Sequence, residues 1–218
     1  MRNILDNRNY LVIEFILLCL ALPTVVWVFT LAPYMFALLW GAAFYCYFIF
    51  RAVFKDTLKN EWKFNDIHWG NLKPILIRWV IASAVIFAFV YFYEPDRLLG
   101  IPRHNPEIIP FLVLAYPLIS ALPQEFIFCS FFLRRYTRFF TSTTMQIIAS
   151  AVVFGYAHML FINWIAPVFS FFAGLIFAST YIKTRSLSLV TLEHALYGNS
   201  IFLIGLGWYF YSGGVVVH

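Results

Sequence analysis

In the C-terminal half of this sequence, four ionisable side chains lie inside stretches that are otherwise apolar enough to form membrane helices. They are Glu125, His158, Glu193 and His194. A carboxylate at membrane depth costs on the order of 2.5–3.5 kcal/mol on insertion scales, so such groups persist mainly where they serve a function. A carboxylate and imidazoles supplied by separate helices are groups that can activate water. An intramembrane hydrolase is therefore the first hypothesis.

The composition is that of a membrane protein. The 218 residues are 62% hydrophobic and only 11% charged. Apolar runs of at least about 18 residues recur along the chain, each long enough to cross a hydrocarbon core about 30 Å thick. The pattern predicts an all-α, polytopic helix bundle in which residues 1–218 form a single integral membrane domain. Its seven predicted spans lie near 10–31, 33–53, 75–93, 107–133, 144–162, 165–183 and 188–211.

The placement of basic residues predicts the orientation of the bundle. On a seven-span chain most lysines and arginines fall on one side, namely Arg2, Arg8, Arg51, Lys55, Lys59, Lys63, Lys73, Arg134, Arg135, Arg138, Lys183 and Arg185. The positive-inside rule assigns this side to the cytoplasm, so the amino terminus is predicted inside and the carboxyl terminus outside. The asymmetry accounts for the net charge of +5 without a nucleic-acid partner.

Helix geometry predicts that three of the polar groups meet. A rise of about 1.5 Å per residue places Glu125 about 13 Å from Arg134, and His194 about as far from Arg185. Polar groups in lipid must face each other or a water-filled cavity, so the fourth, fifth and seventh spans are expected to pack together and join Glu125, His158 and His194. Within the fourth span, Pro117 and Pro123 are expected to break or kink the helix.

Three short segments in this region carry a resemblance to a known family. They are 124–129, Phe154 to His158, and the stretch that begins at His194. In this order and on late spans they resemble the CPBP family, which includes the CAAX prenyl endopeptidases and bacteriocin-processing proteins. The family motifs are EExxxR, FxxxH, and HxxxN or HxxxD. The likeness covers roughly residues 116–210, which are expected to form a CPBP-like catalytic core.

The sequence departs from the family pattern in two of the three motifs. Gln124 stands at the first acidic position and Cys129 at the arginine position, so only Glu125 remains of the acidic pair. In the third motif Gly198 stands at the last position, and Asn199 follows one step later. Asn199 would face the site only if a bulge or kink rotated it inward.

The resemblance implies hydrolysis of a peptide bond within the bilayer. Glu125 would act as the general base, while His158 would share or orient the water. His194, together with Asn199 or a backbone N–H, would stabilise the developing oxyanion. The implied partners are the lipid bilayer and a membrane protein or a lipidated (prenyl or leader-type) peptide substrate. The implied location is a bacterial cytoplasmic membrane.

Two further residues are expected to support the site, and a metal is left open. Phe154 lies four residues before His158 on the same helix face, so its ring would buttress the imidazole. Gln124 would orient the water or the substrate carbonyl, but it cannot take the proton. CPBP proteins are described both as glutamate proteases and as metalloproteases. A Zn²⁺ ion would be held by His158, His194 and Glu125, although the chain lacks HExxH.

Other functions fit parts of the same pattern. A membrane scaffold or chaperone that has lost part of its site would explain Gln124 and Cys129. A proton-coupled carrier is a second alternative, because Glu and His inside a membrane also relay protons. Haem ligation by His158 and His194 across two helices is a third.

Three features outside the motifs have structural interpretations. Glu193 is expected to bond Tyr197 one turn on or to lie near the cytoplasmic interface. Glu14, near the start of the first span, is expected to reach toward the interface. The polar stretch 55–74 is expected to lie along the cytoplasmic surface as an interfacial helix or loop.

Overall fold

A computed structural model of the chain describes residues 2–54 and 60–211, and within these ranges the regular secondary structure is all helical, with no β-strand. Seven helices within them are long and apolar enough to cross a membrane, as predicted. They are α1 (Arg8–Val28), α2 (Ala32–Val53), α3 (Trp69–Tyr93), α4 (Pro106–Arg135), α5 (Thr143–Phe161), α6 (Ile165–Thr184) and α7 (Leu187–Ile204). The orientation remains a prediction, and two of its basic residues, Lys55 and Lys59, lie outside the described residues.

The ends of two helices differ from the predicted spans. α3 begins at Trp69 rather than near residue 75, and Pro74 lies inside the helix. Hydropathy misses these first turns because they are polar. α7 ends at Ile204 rather than near residue 211, because Gly205 follows with φ of 135°, a conformation that side chains other than glycine rarely adopt.

α4 is continuous, although a break or a kink was expected at its two prolines. Instead of ending at Pro117 or Pro123, the helix changes its hydrogen-bond pattern twice, with π-helical segments at Pro117–Ala121 and Phe126–Phe131. A π-helical turn accommodates an irregularity that would otherwise break the helix, and such turns are frequent at functional sites. The short α-helical piece Leu122–Glu125 between them carries Gln124 and Glu125.

α7 lies at the centre of the bundle. In its most apolar stretch 56% of the residues are buried inside the protein, against 17% for α3. α7 packs against α3, α4 and α6, while α5 packs mainly against α6. α1 lies against α5, and α2 lies against α4. The helices that carry the three motifs therefore lie within one packed group.

Buried ion pairs tie the end of α4 to the amino-terminal part of the chain. Nε of Arg135 lies 2.7 Å from Oε2 of Glu14, and both side chains are almost fully buried. Tyr45 and Tyr136 also donate hydrogen bonds to this carboxylate. The expectation that Glu14 reaches toward the interface is therefore wrong, because Arg135 compensates its charge inside the protein.

A second buried carboxylate comes from the loop between α2 and α3. Glu61 is fully buried, and its Oε1 lies 2.6 Å from Nη2 of Arg134. Ser130 and Tyr181 donate to its other oxygen, at 2.7 and 2.5 Å. Trp62, Phe64 and Ile67 are exposed, as expected for a surface segment. Glu61 is the exception, since it anchors this loop between α4 and α6.

Candidate active site

The centre of the candidate site is a pair formed by Glu125 on α4 and His194 on α7. Nδ1 of His194 lies 2.7 Å from Oε1 of Glu125, and both side chains are buried. With the carboxylate ionised, Glu125 only accepts, and Nδ1 of His194 is the donor in this pair. The other carboxylate oxygen, Oε2, is buried and has no hydrogen-bond partner among the described residues.

His158 lies where α5 tightens into a final 3₁₀ turn, directly after Ala157. Its Nδ1 lies 2.8 Å from the carbonyl oxygen of Phe154. A carbonyl oxygen can only accept, so Nδ1 is the protonated nitrogen. In the neutral ring Nε2 is then left with a free lone pair. The local turn therefore fixes His158 in the tautomer that can accept a proton at Nε2.

Two phenylalanines hold the imidazole rings in place. The ring of Phe154 contacts His158 at a centroid distance of 4.7 Å and His194 at 5.8 Å. Phe177 of α6 stacks on His194 with centroids 4.7 Å apart and an angle of 16° between the ring planes. The expected contact of Phe154 with His158 is confirmed. Phe154 also joins the two histidines of different helices.

A tyrosine that the motifs do not include completes the contacts of His194. Tyr116 is the last residue of α4 before the first π-helical segment. Its hydroxyl lies 3.0 Å from Nε2 of His194. Because Nδ1 of His194 carries the proton, the hydroxyl donates to Nε2. Nothing in the sequence singled out this tyrosine within an apolar run.

These side chains line one cavity of about 410 Å³. Its polar lining includes Tyr116, Gln124, His158 and His194. The rest of the lining is mostly aliphatic and aromatic, and among the described residues no Asp, Glu, Lys or Arg side chain lines the cavity. Glu125 acts on this space only through His194. The cavity thus combines groups able to move protons with an apolar surface.

Comparison with known families assigns this region. Residues 106–199 match the family model for type II CAAX prenyl endopeptidase Rce1-like proteins. The Rce1-like segment runs from the start of α4 into α7 and contains all three motifs, so the resemblance inferred from them is confirmed. No curated protein and no solved structure matches the chain.

The remaining predicted site residues of the Rce1-like segment differ in their placement. Nε2 of Gln124 donates to Oγ of Ser120 at 2.8 Å, while its buried Oε1 has no partner among the described residues. Asn199 does not line the cavity. α7 is α-helical throughout Leu187–Ile204, so no bulge turns Asn199 inward.

Glu193, next to His194 in the Rce1-like segment, has a partner that sequence reasoning missed. Its Oε1 accepts from Nη2 of Arg78 on α3 at 2.7 Å. Arg78 also donates to Oγ1 of Thr180. The expected bond from Tyr197 is absent, since its hydroxyl has no partner among the described residues. The signal for Arg78 was available, because it is an ionisable residue inside an apolar span.

The motif residues of the Rce1-like segment do not form a metal site. Over the described ranges, no three His, Cys, Asp or Glu side chains are grouped closely enough to hold a metal ion. Glu125 and His194 bond each other, and Nδ1 of His158 is engaged by a backbone carbonyl. In this arrangement the three residues do not fit the Zn²⁺ site that the sequence left open.

Proposed function

We propose that this chain is an intramembrane endopeptidase that hydrolyses a peptide bond in an apolar, membrane-associated substrate. The observation that carries the proposal is the pairing of two differently held imidazoles on one cavity wall. His158 presents a free Nε2 lone pair, whereas His194 is backed by the carboxylate of Glu125. The match to the Rce1-like family supports a protease.

In the proposed mechanism His158 is the general base. Water attacks the carbonyl carbon of the scissile bond, its proton passes to Nε2 of His158, and the carbonyl electrons move to oxygen to form an oxyanion. When the C–N bond breaks, the same proton passes to the leaving amine. The products are a new carboxyl terminus and a new amino terminus. This assignment differs from the sequence-based one, in which Glu125 took the proton.

His194 and Glu125 form the stabilising side of the proposed site. The Glu125 carboxylate holds Nδ1–H of His194 and fixes the orientation of the ring. In the reactive form Nε2 of His194 holds a second proton, taken up from water before attack, and this Nε2–H donates to the oxyanion as negative charge develops. Gln124 lines the same cavity, and its side chain would orient the attacking water or a substrate N–H once Oε1, which is buried and unpartnered among the described residues, turned toward the cavity.

The lining also favours one class of substrate. An uncharged, apolar peptide segment buries its side chains in the cavity, whereas a charged group would lose hydration without gaining an opposite charge. We therefore propose a substrate cleaved within an apolar, membrane-associated segment. A prenylated or leader-type peptide fits this class when its scissile bond lies away from charged groups.

Peptide-terminus profiling of membranes tests the proposed function. Membranes containing the wild type, His158→Ala and the control His104→Ala are compared at matched expression, since His104 is exposed and does not line the cavity. We expect new termini with the wild type and with His104→Ala but not with His158→Ala. Identical profiles from all three would contradict the proposal and favour a scaffold, as the replacements at Gln124 and Cys129 suggest.

A further inference from the structure

We infer that Tyr116 is a catalytic residue whose hydroxyl donates a hydrogen bond to the oxyanion of the tetrahedral intermediate. The inference rests on the proposed function and extends it to a residue outside the three motifs. It is carried by two observations, namely the position of the hydroxyl beside His194 and the way the phenol ring fills the space above Gly198.

The phenol ring of Tyr116 occupies the space that a side chain at position 198 would need. A Cβ atom built on Gly198 would collide with the hydroxyl oxygen and with Cζ of Tyr116. Glycine at this position is therefore what allows the tyrosine of α4 to reach across α7. Gly198 is also the last position of the third motif, where the family pattern has Asn or Asp. A hydroxyl from another helix thus stands where that polar side chain would begin.

The ring of Tyr116 is held in a defined position. It contacts Phe202 edge-on at a centroid distance of 5.7 Å and His194 at 5.9 Å. Its hydroxyl lies 3.0 Å from Nε2 of His194, the atom proposed to face the oxyanion. Tyr116, Gly198 and His194 all line the cavity. A donor fixed in this way is preorganised for charge that develops beside His194.

The hydroxyl has a role before and after attack. In the resting site it donates to Nε2 of neutral His194. Once Nε2 has taken up a proton from water before attack, it no longer accepts a hydrogen bond, so the hydroxyl is free to rotate about the C–O bond. It then donates to the oxyanion alongside Nε2–H. No bond to Tyr116 forms or breaks, and its proton stays on oxygen throughout.

Tyr116→Phe tests the hydroxyl alone, because the ring that packs on Gly198 remains. The probe is a fluorogenic peptide built on the cleavage site found by terminus profiling, assayed with purified protein in nanodiscs. We expect kcat to fall about 100-fold or more while KM stays unchanged, as for the loss of one oxyanion donor. The control is Tyr156→Phe, since Tyr156 bonds Thr24 and does not line the cavity; it should retain the wild-type kcat.

A peptide aldehyde of the same sequence separates a catalytic role from a structural one. Its hydrate mimics the tetrahedral intermediate, so Tyr116→Phe should weaken its inhibition by about the same factor as the loss of kcat. Binding of the uncleaved peptide, measured in the His158→Ala background, should not change. Equal inhibition of wild type and Tyr116→Phe would overturn the inference.

A side-chain exchange gives a second, independent test. Gly198→Asn alone should inactivate the protein, because the new side chain collides with the phenol ring. Tyr116→Ala alone should lose activity because the donor is gone. The double variant opens the space and returns a polar donor at position 198, so we expect it to recover at least tenfold over either single variant. No recovery, together with a wild-type kcat for Tyr116→Phe, would reject a catalytic role.

Absence of any cleavage by the wild type would instead reject the proposed function.

Discussion

The imidazole of His194 bonds the carboxylate of Glu125 at 2.7 Å across a separation of 69 residues. This contact joins α4 and α7, and it brings together two residues to which the motifs assign separate roles. A carboxylate bonded to Nδ1 fixes both the tautomer and the orientation of the ring. The function proposed for His194 therefore depends on Glu125, even though Glu125 does not line the cavity.

Glu125→Gln is expected to lower kcat by about 1000-fold or more. The amide fills the same space, but it cannot stabilise an imidazolium, and its NH₂ group can impose the wrong tautomer on His194. The measurement is the rate of peptide cleavage by purified variants, with thermal unfolding to show that the fold is retained. Glu107→Gln is the matched control, because Glu107 is exposed at the start of α4. A Glu125→Gln variant with the wild-type rate would show that the pair has no part in catalysis.

Peptides that differ only in terminal charge should be cleaved at different rates. One peptide ends a few residues beyond the scissile bond in a free carboxylate, and its partner ends there in a carboxamide. Because no basic residue among those described lines the cavity, the carboxylate would be buried without a counter-charge. We expect kcat/KM to be at least about 100-fold higher for the carboxamide. Equal rates for the two peptides would contradict this expectation. They would show that the terminal carboxylate of the peptide is either paired with a basic residue from elsewhere in the chain or still in contact with water.

The buried pair of Glu14 and Arg135 should be important for stability. Arg135→Met leaves a buried carboxylate without its partner, and we expect the free energy of unfolding to fall by about 3–5 kcal/mol. The double variant Glu14→Leu/Arg135→Met removes both charges and should recover much of this loss. Denaturant or steric-trap unfolding in bicelles measures both, with the exposed Arg103→Met as control. A double variant as unstable as Arg135→Met would show that packing, and not the unpaired charge, causes the loss.

Cysteine labelling tests the orientation predicted from the basic residues. The three native cysteines are all buried, so an impermeant maleimide should react mainly at a cysteine introduced at an exposed position. In intact cells Arg103→Cys should be labelled from outside, whereas Arg51→Cys should react only after permeabilisation. The opposite result would invert the topology, and reaction of both in intact cells would contradict the seven-span arrangement.

The sequence predicts the helices of this protein better than their contacts. Length and hydropathy alone define seven spans, because each must bury its backbone polar groups within one segment of the membrane. The π-helical segments after Tyr116 and Glu125 leave no such signal. Proline marks the irregularity, but it does not reveal whether the helix breaks or changes its hydrogen-bond pattern.

For the candidate site, too, the sequence predicts which residues matter better than it predicts their contacts. The motifs identify Glu125, His158 and His194, but the partner of Glu125 depends on how α4 and α7 are rotated, and single-helix spacing does not specify that. Tyr116 was missed because tyrosine is ordinary in an apolar run. Gly198 was the available signal, since a missing side chain at a motif position invites a substitute from a neighbouring helix.

The ion pairs at the end of α4 limit how far the Rce1-like segment is a transferable unit. Arg134 and Arg135 belong to residues 106–199, but their carboxylate partners, Glu61 and Glu14, precede that segment in the chain. Excised alone or grafted onto another set of amino-terminal helices, the segment would carry two uncompensated guanidinium groups into its interior. The region of sequence similarity therefore does not contain all the charges that its own arginines need. A chimera of two relatives would keep these ion pairs only if Glu14 and Glu61 were transferred together with Arg134 and Arg135.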